Sequence, residues 1–175
     1  MPTASQRSTF LSSHAFRILY CLVIIRHGRR IWLSFDVTKN PTAEWISRQI
    51  TEAFPWDQAP RYLIRDRDTS YGPVFMQRLR AMGIRDRPIA FRSPWQNAYV
   101  ERLIGSIRRE RLDHMIVFGE AHLRRILGAY AVYYNESRIH RSLNKDAPFH
   151  RATEPLGAIT SYPVLGGLHH EYCRI

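Results

Sequence analysis

The stretch that most constrains the fold is Ile18–Ile25 (ILYCLVII), a near-continuous apolar run rich in branched residues and bracketed by Arg17 and Arg26. It is far too short to span a bilayer as a helix. It also lacks the small-residue cleavage pattern of a secretory signal. Apolar side chains at successive positions mark a strand covered on both faces. His27–Arg30 supplies a glycine turn, and IWLSFDV (31–37) alternates well enough to be the partner strand of a hairpin.

The remaining elements follow by periodicity. A helix is expected from Asn40–Pro41 to about Phe54, with Ala43, Ile46, Ile50 and Phe54 at helical spacing. RYLIR (61–65) reads as a short buried strand. Pro73 opens a helix that Gly83 stops, and Ile84–Phe91 is a strand that Pro88 confines to an edge. Ser93 and Pro94 predict the start of a further helix, which places Glu101 about two turns in. A last long helix covers roughly Glu120–Glu136, and residues 144–175 lose periodicity and read as an irregular tail. Strands alternating with helices in this order predict an α/β layered domain with a mixed sheet. At 175 residues one such core needs no disulfide, and Cys21 and Cys173 are too far apart in sequence to suggest a framework.

Charge narrows the partners. Lys and Arg number 26 against 15 Asp and Glu, a net charge of +11, and nearly all the positive charge is arginine. Guanidinium groups match phosphate in a two-point geometry, so phosphate-bearing polymers are the first partners to consider. On the helix after Ser93, Val100, Leu103, Ile104 and Ile107 form an apolar stripe, and Asn97, Glu101 and Arg108 share a face that borders the core without entering it. Arg102, Ser106 and Arg109 lie on the side away from the stripe, suited to phosphate contact, and Gly105 would admit a close approach. Taken alone, the segment reads first as an ordinary amphipathic surface helix with Glu–Arg pairs. Asp66 stands where the chain leaves the RYLIR strand, with Asp68 two residues on. Carboxylates there and on the helix are oxygen donors suited to Mg²⁺ beside a polyanion, while Asp66–Asp68 taken alone reads first as a solvated turn.

RYLIRDRDTSYG, SPWQNAYVERLIGSIRRE and YYNESRIHRSLNKDAP, in this order, resemble the catalytic core of bacterial insertion-sequence transposases, the DDE group related to retroviral integrases on a ribonuclease H-like fold. The resemblance covers roughly residues 16–150. It makes Asp66 the second acidic residue and Glu101 the final one, with 34 residues between them. It places Arg108 at a DNA end and Asn97 within the motif. By implication the chain is a transposase core that cuts and joins DNA with two Mg²⁺ or Mn²⁺ ions and works as a homo-oligomer on DNA, in the cytoplasm and away from membranes.

One part of the pattern is missing. The first Asp of such cores is expected around Arg7–Thr9, yet no Asp or Glu occurs before Asp36. Asp36 itself falls on the outer strand. Residues 1–15 are therefore expected to be a degenerate segment of a truncated or frameshifted chain whose true first strand is lost or encoded upstream, with Thr9–Leu11 a thin replacement for it, ahead of a 16–150 core and a 151–175 tail. The function expected is metal-dependent transposition impaired by this loss; the alternative is a non-catalytic DNA-binding remnant that modulates an intact transposase. Of the other signals, Trp95 and Tyr99 are expected to pack in the core rather than stack on bases. His140 and Arg141 are expected to dock the last helix. His169, His170 and Cys173 lack the further ligands that a zinc site needs.

Overall fold

A computed structural model describes residues 3–12, 18–55, 57–152 and 154–175, with residues 5–12 and Pro94 described by backbone alone. Arg17 and Trp56 lie outside the described residues.

The strands are β1 (Thr3–Ser12), β2 (Ile18–Arg26), β3 (Ile31–Thr38), β4 (Tyr62–Arg65) and β5 (Arg85–Pro88). They form one sheet in the order β3-β2-β1-β4-β5. The β1–β2 and β2–β3 pairs are antiparallel, whereas β1–β4 and β4–β5 are parallel. Helices α1 (Ala43–Ala53) and α2 (Pro73–Ala81) cover one face. Helices α3 (Ala98–Glu110) and α4 (Glu120–Glu136) cover the other.

The apolar run of β2 is thereby explained. Leu19, Cys21, Val23 and Ile25 join the α3/α4 layer, while Leu22 and Ile24 join the α1/α2 layer with Ile46, Ile50, Leu63 and Phe75. Period-2 geometry sends alternate side chains to two cores, so every position must be apolar. The imperfect alternation of β3 has an equally local cause. The register shifts between Ile24 and Ile25, which pair with Ser34 and Trp32 respectively, so Leu33 is an extra residue. This bulge lets Trp32, Phe35 and Val37 all reach the α3/α4 layer.

Four expectations are corrected. The first strand is neither lost nor a three-residue replacement: β1 runs for ten residues and lies in the middle of the sheet. A central strand gains backbone partners on both sides, so the polar sequence TASQRSTFLS is held by its neighbours more than by its own propensity. Helix α1 starts at Ala43 behind a Thr42 cap whose hydroxyl accepts from the Trp45 amide, later than Asn40. Pro94–Asn97 is a 3-10 turn, so Glu101 lies in the first turn of α3 and not two turns in. The tail contains an antiparallel hairpin, β6 (Ile159–Val164) with β7 (His169–Arg174). Gly157, at φ +99°, permits its closure, because a Cβ there would sit 2.5 Å from the Ile175 carbonyl oxygen.

The YYNESRIHRSL segment clamps these layers. Asn135 accepts from the Trp32 amide and donates to the Trp32 carbonyl, both at 2.9 Å, and so serves the backbone of edge strand β3. His140 is buried edge-on to Tyr134, with ring centroids 4.9 Å apart. The docking role expected of His140 is what the packing displays. Burial, with Arg138 and Arg30 nearby, pushes its pKa down to about 4 against the opposing effects of a backbone hydrogen bond at Tyr134 and of Glu110.

That depression has a consequence for stability. Between about pH 6.5 and 4 the unfolded chain binds a proton at His140 that the native state refuses, so stability is full above this window and falls through it as acid is added. The expected loss is about 2–3 kcal/mol. Denaturant midpoints measured from pH 7.5 to 4 check this: His140→Gln should flatten most of the slope. A residual slope should remain from His27, whose pKa burial also lowers.

Candidate functional site

Asp66 follows β4 directly and is half-buried. Its backbone is held by its neighbour. The Arg65 guanidinium donates to the Asp66 carbonyl at 3.0 Å, forks onto both carboxylate oxygens of Asp86 at 2.9 Å, and lies 4.5 Å from the Tyr71 ring centroid. A bidentate pair of this kind, about nine-tenths buried, fixes where the chain leaves the sheet. Asp68 instead accepts from the Ser70 amide and hydroxyl at 2.8 and 2.7 Å, closing a local turn.

Glu101 is half-buried in the first turn of α3, where the helix dipole favours a carboxylate. Helix α3 packs on β1 and β2, and β1 pairs with β4. Asp66 and Glu101 are therefore presented from two elements that both adjoin the central strand. Asp36 plays no part there: it accepts from Arg124 Nε at 2.7 Å and Trp45 Nε1 at 3.1 Å, tying α4 and α1 to β3. Burial works against its ionisation, but the bonds from Arg124, Val37 and Trp45 hold its pKa below the usual carboxylate range.

Of the expected DNA-contact residues, Arg102, Arg108 and Arg109 are exposed on α3. Asn97 is not: at 1% exposure it is core, and a buried amide cannot reach a phosphate. It lies three residues before Val100 and so continues the apolar stripe. Ser106 is also buried, its hydroxyl taken by Arg138 at 3.3 Å. The space above Gly105 is filled by Arg109, whose Nη1 would lie 3.0 Å from an added Cβ.

The aromatic expectation is reversed. Trp95 is 68% and Tyr99 37% exposed, and Phe91, at 75%, joins them on the segment leading into α3. Arg92 lies over Phe91 at 5.2 Å and Arg30 over Tyr99 at 4.7 Å, so arginines pair with aromatic rings along the segment that leads to Glu101. The grouping of Phe91, Arg92, Trp95 and Tyr99 is the signal that could have found this surface from sequence. His169 stacks on Tyr133 at 4.8 Å and its Nε2 meets the Glu110 carbonyl at 3.1 Å, which makes it a hairpin anchor. Burial pushes the Cys21 thiol up to about 12, and both cysteines are free.

A mixed five-stranded sheet with two helical layers, one carboxylate at the end of β4 and another on α3, defines an α/β domain of ribonuclease H-like, integrase-core type. Residues 82–148 match the Integrase core domain family. The chain is 29% identical over 147 residues to an uncharacterised 31.7 kDa protein of insertion element IS407 from Burkholderia multivorans, covering 78% of this chain and 52% of that protein. It therefore spans about half the length of the curated relative it matches. Among solved structures it superposes on a chain of the simian T-cell lymphotropic virus intasome in complex with the PP2A regulatory subunit B56 gamma, with a TM-score of 0.67 and 13% identity over 97% of this chain and 65% of that one. The HTLV-2 integrase catalytic core domain in complex with magnesium, in its dimeric form, gives 0.64 and 11% over 85% of this chain and 93% of that one. The chain is thus similar, over part of its length, to the Integrase core domain family and to a protein of an insertion element, on an integrase-like fold.

Proposed function

We propose that this chain is the DNA-engaging core of an insertion-sequence transposase of the DDE group, acting in DNA transposition in the cytoplasm as a homo-oligomer on DNA. The observation that carries the reading is the placement of Asp66 and Glu101 on two elements that adjoin β1, beside a surface of exposed arginines and aromatic rings. Arg102, Arg108 and Arg109 supply phosphate contacts, and Trp95 and Phe91 offer faces on which unpaired bases stack. Among the described residues no helix is long and apolar enough to cross a membrane.

Asp66 and Glu101 are assigned as the ligands of Mg²⁺ or Mn²⁺, the ions such cores use. The residues present do not complete that site. Strand β1 carries no carboxylate, and among the described residues no group of three His, Cys, Asp or Glu is placed to hold a metal ion. A two-ion site is left one ligand short, so strand cleavage is impaired while DNA binding is retained. The same observation favours the second reading, a non-catalytic DNA-binding core that modulates an intact transposase.

Nicking of supercoiled plasmid in Mn²⁺, beside Glu101→Gln and with DNA binding followed in parallel, separates the two. Weak nicking abolished in the variant supports the impaired enzyme. Salt-sensitive DNA binding that ignores Mg²⁺, with no nicking by either protein, supports the non-catalytic core. No DNA binding at low salt overturns both.

A further inference from the structure

Helix α3 lies over β1 and β2 and α4 over β3, so neither covers the same face of β4 and β5. There the sheet forms an open depression of about 590 Å³ whose lining includes Thr3, Tyr62, Ile64, Arg87, Ile89 and Gln96. Tyr62 is ringed by three guanidinium groups: Arg87 at 5.3 Å, Arg61 at 5.4 Å and Arg85 at 5.8 Å from the ring centroid, with Arg85 also donating to the phenol oxygen at 3.4 Å. The parallel register pairs Tyr62 with Arg85 and Ile64 with Arg87, which sets both arginines on this face. The one acid of β5, Asp86, is paired with Leu63 in that register, on the α1/α2 side, and is taken up by Arg65. Among the described residues neither Arg85 nor Arg87 has a carboxylate within ion-pairing distance.

Three like charges gathered around one ring repel one another, and a polyanion relieves that repulsion. We infer that the open face of β4 and β5, built from Tyr62 with Arg61, Arg85 and Arg87, is a second platform for the phosphate backbone of duplex DNA, apart from the Asp66/Glu101 region. It rests on the reading above that DNA is the polymer bound. Gln96, from the turn that leads into α3, lines the rim, so a duplex crossing the platform continues toward the exposed α3 arginines. A rigid aromatic between guanidinium groups orders them at low entropic cost, which suits a backbone contact that reads no sequence.

Edge strands are also commonly charged to prevent sheet-to-sheet association, and that role is served by either sign of charge. The double variant Arg85→Glu/Arg87→Glu keeps the edge charged while reversing the field. Binding of a short random duplex in EDTA is measured as a function of salt, with the melting temperature as a folding control. The expected result is an unchanged melting temperature, a loss of roughly 10- to 100-fold in affinity at 0.1 M salt, and a salt slope shallower by about 2. Affinity and slope equal to the parent's overturn the platform and leave edge protection as the role of these arginines, with the proposed function intact. No binding by the parent overturns both. EDTA keeps the outcome independent of any cleavage by Asp66 and Glu101. A variant whose melting temperature falls is replaced by Arg87→Glu alone, with an expected slope change of about 1, and an unchanged slope there likewise overturns the platform.

Discussion

Replacing Arg138 by methionine is expected to lower the unfolding free energy by about 3–5 kcal/mol. Arg138 donates to Glu110 through Nη2 at 2.5 Å and Nε at 2.9 Å, and the same carboxylate accepts from Tyr130 Oη at 2.6 Å. Both charged side chains are only about one-fifth exposed. Burial opposes ionisation of Glu110, yet the bonds from Arg138 and Tyr130 keep its pKa below the ordinary value. Methionine preserves the apolar stem and removes the charge, which leaves a carboxylate in the seam between α3 and α4 with the Tyr130 hydroxyl as its one strong remaining partner. Denaturant unfolding at pH 7 reads the loss directly. The double variant Glu110→Leu/Arg138→Met should recover most of it, because the cost lies in the stranded charge and not in the pair. A single variant within 1 kcal/mol of the parent would show that the pair contributes little to holding α3 against α4.

The same segment shows why part of the molecule was legible in the sequence. Asn135, Arg138 and His140 lie on or just beyond the last long helix. Of the residues in this stretch the sequence points to docking by His140 and Arg141; His140 is buried as expected, Arg141 is exposed, and the atoms that Asn135 and Arg138 reach are not readable. The Trp32 backbone lies 103 residues away from Asn135, and nothing local points to it. The bulge at Leu33 is similar: a break in alternation is visible, but its resolution depends on where β2 sits in the sheet.

Where the reading failed, tertiary context overrode a local signal. TASQRSTFLS has little strand pattern of its own and becomes the central strand because β2 pairs with it from Ala4 to Ser12 and β4 from Thr3 to Gln6. Asn97 is polar and by that alone reads as bordering the core, yet the spacing 97, 100, 103/104 and 107 places it on the buried stripe. Ser106 is covered because Arg138 reaches across from beyond α4. Trp95 and Tyr99 were expected inside on hydrophobicity, but a 3-10 turn before α3 changes the phase and leaves them facing out. The hairpin of β6 and β7 carries Pro163 and a glycine pair, features that argue against strands, and its pairing is local with none of its residues buried.

The largest functional change is expected from a residue that carries the wrong charge for the proposed site. In the parallel register Gln6 faces Arg65, and one residue further aligns Arg7 with Asp66. In the antiparallel register Arg7 pairs with Val23, a member of the α3/α4 layer from which Glu101 is presented. Arg7→Asp therefore puts a third carboxylate at the register position between the other two. Without metal, neighbouring carboxylates repel, so the variant should be less stable than the parent at pH 7 and recover as acid protonates one of them. With Mn²⁺ the sign reverses. A site bound at 100 times its Kd contributes about 2.7 kcal/mol, which appears as a rise in melting temperature that the parent lacks. Plasmid nicking should appear with the same Mn²⁺ dependence and vanish in EDTA and in Arg7→Asp/Glu101→Gln. A folded Arg7→Asp variant that Mn²⁺ does not stabilise would remove Asp66 and Glu101 from the role of metal ligands. Stabilisation without nicking would instead place the defect beyond the metal site, in how the arginine and aromatic surface around Trp95 presents the DNA.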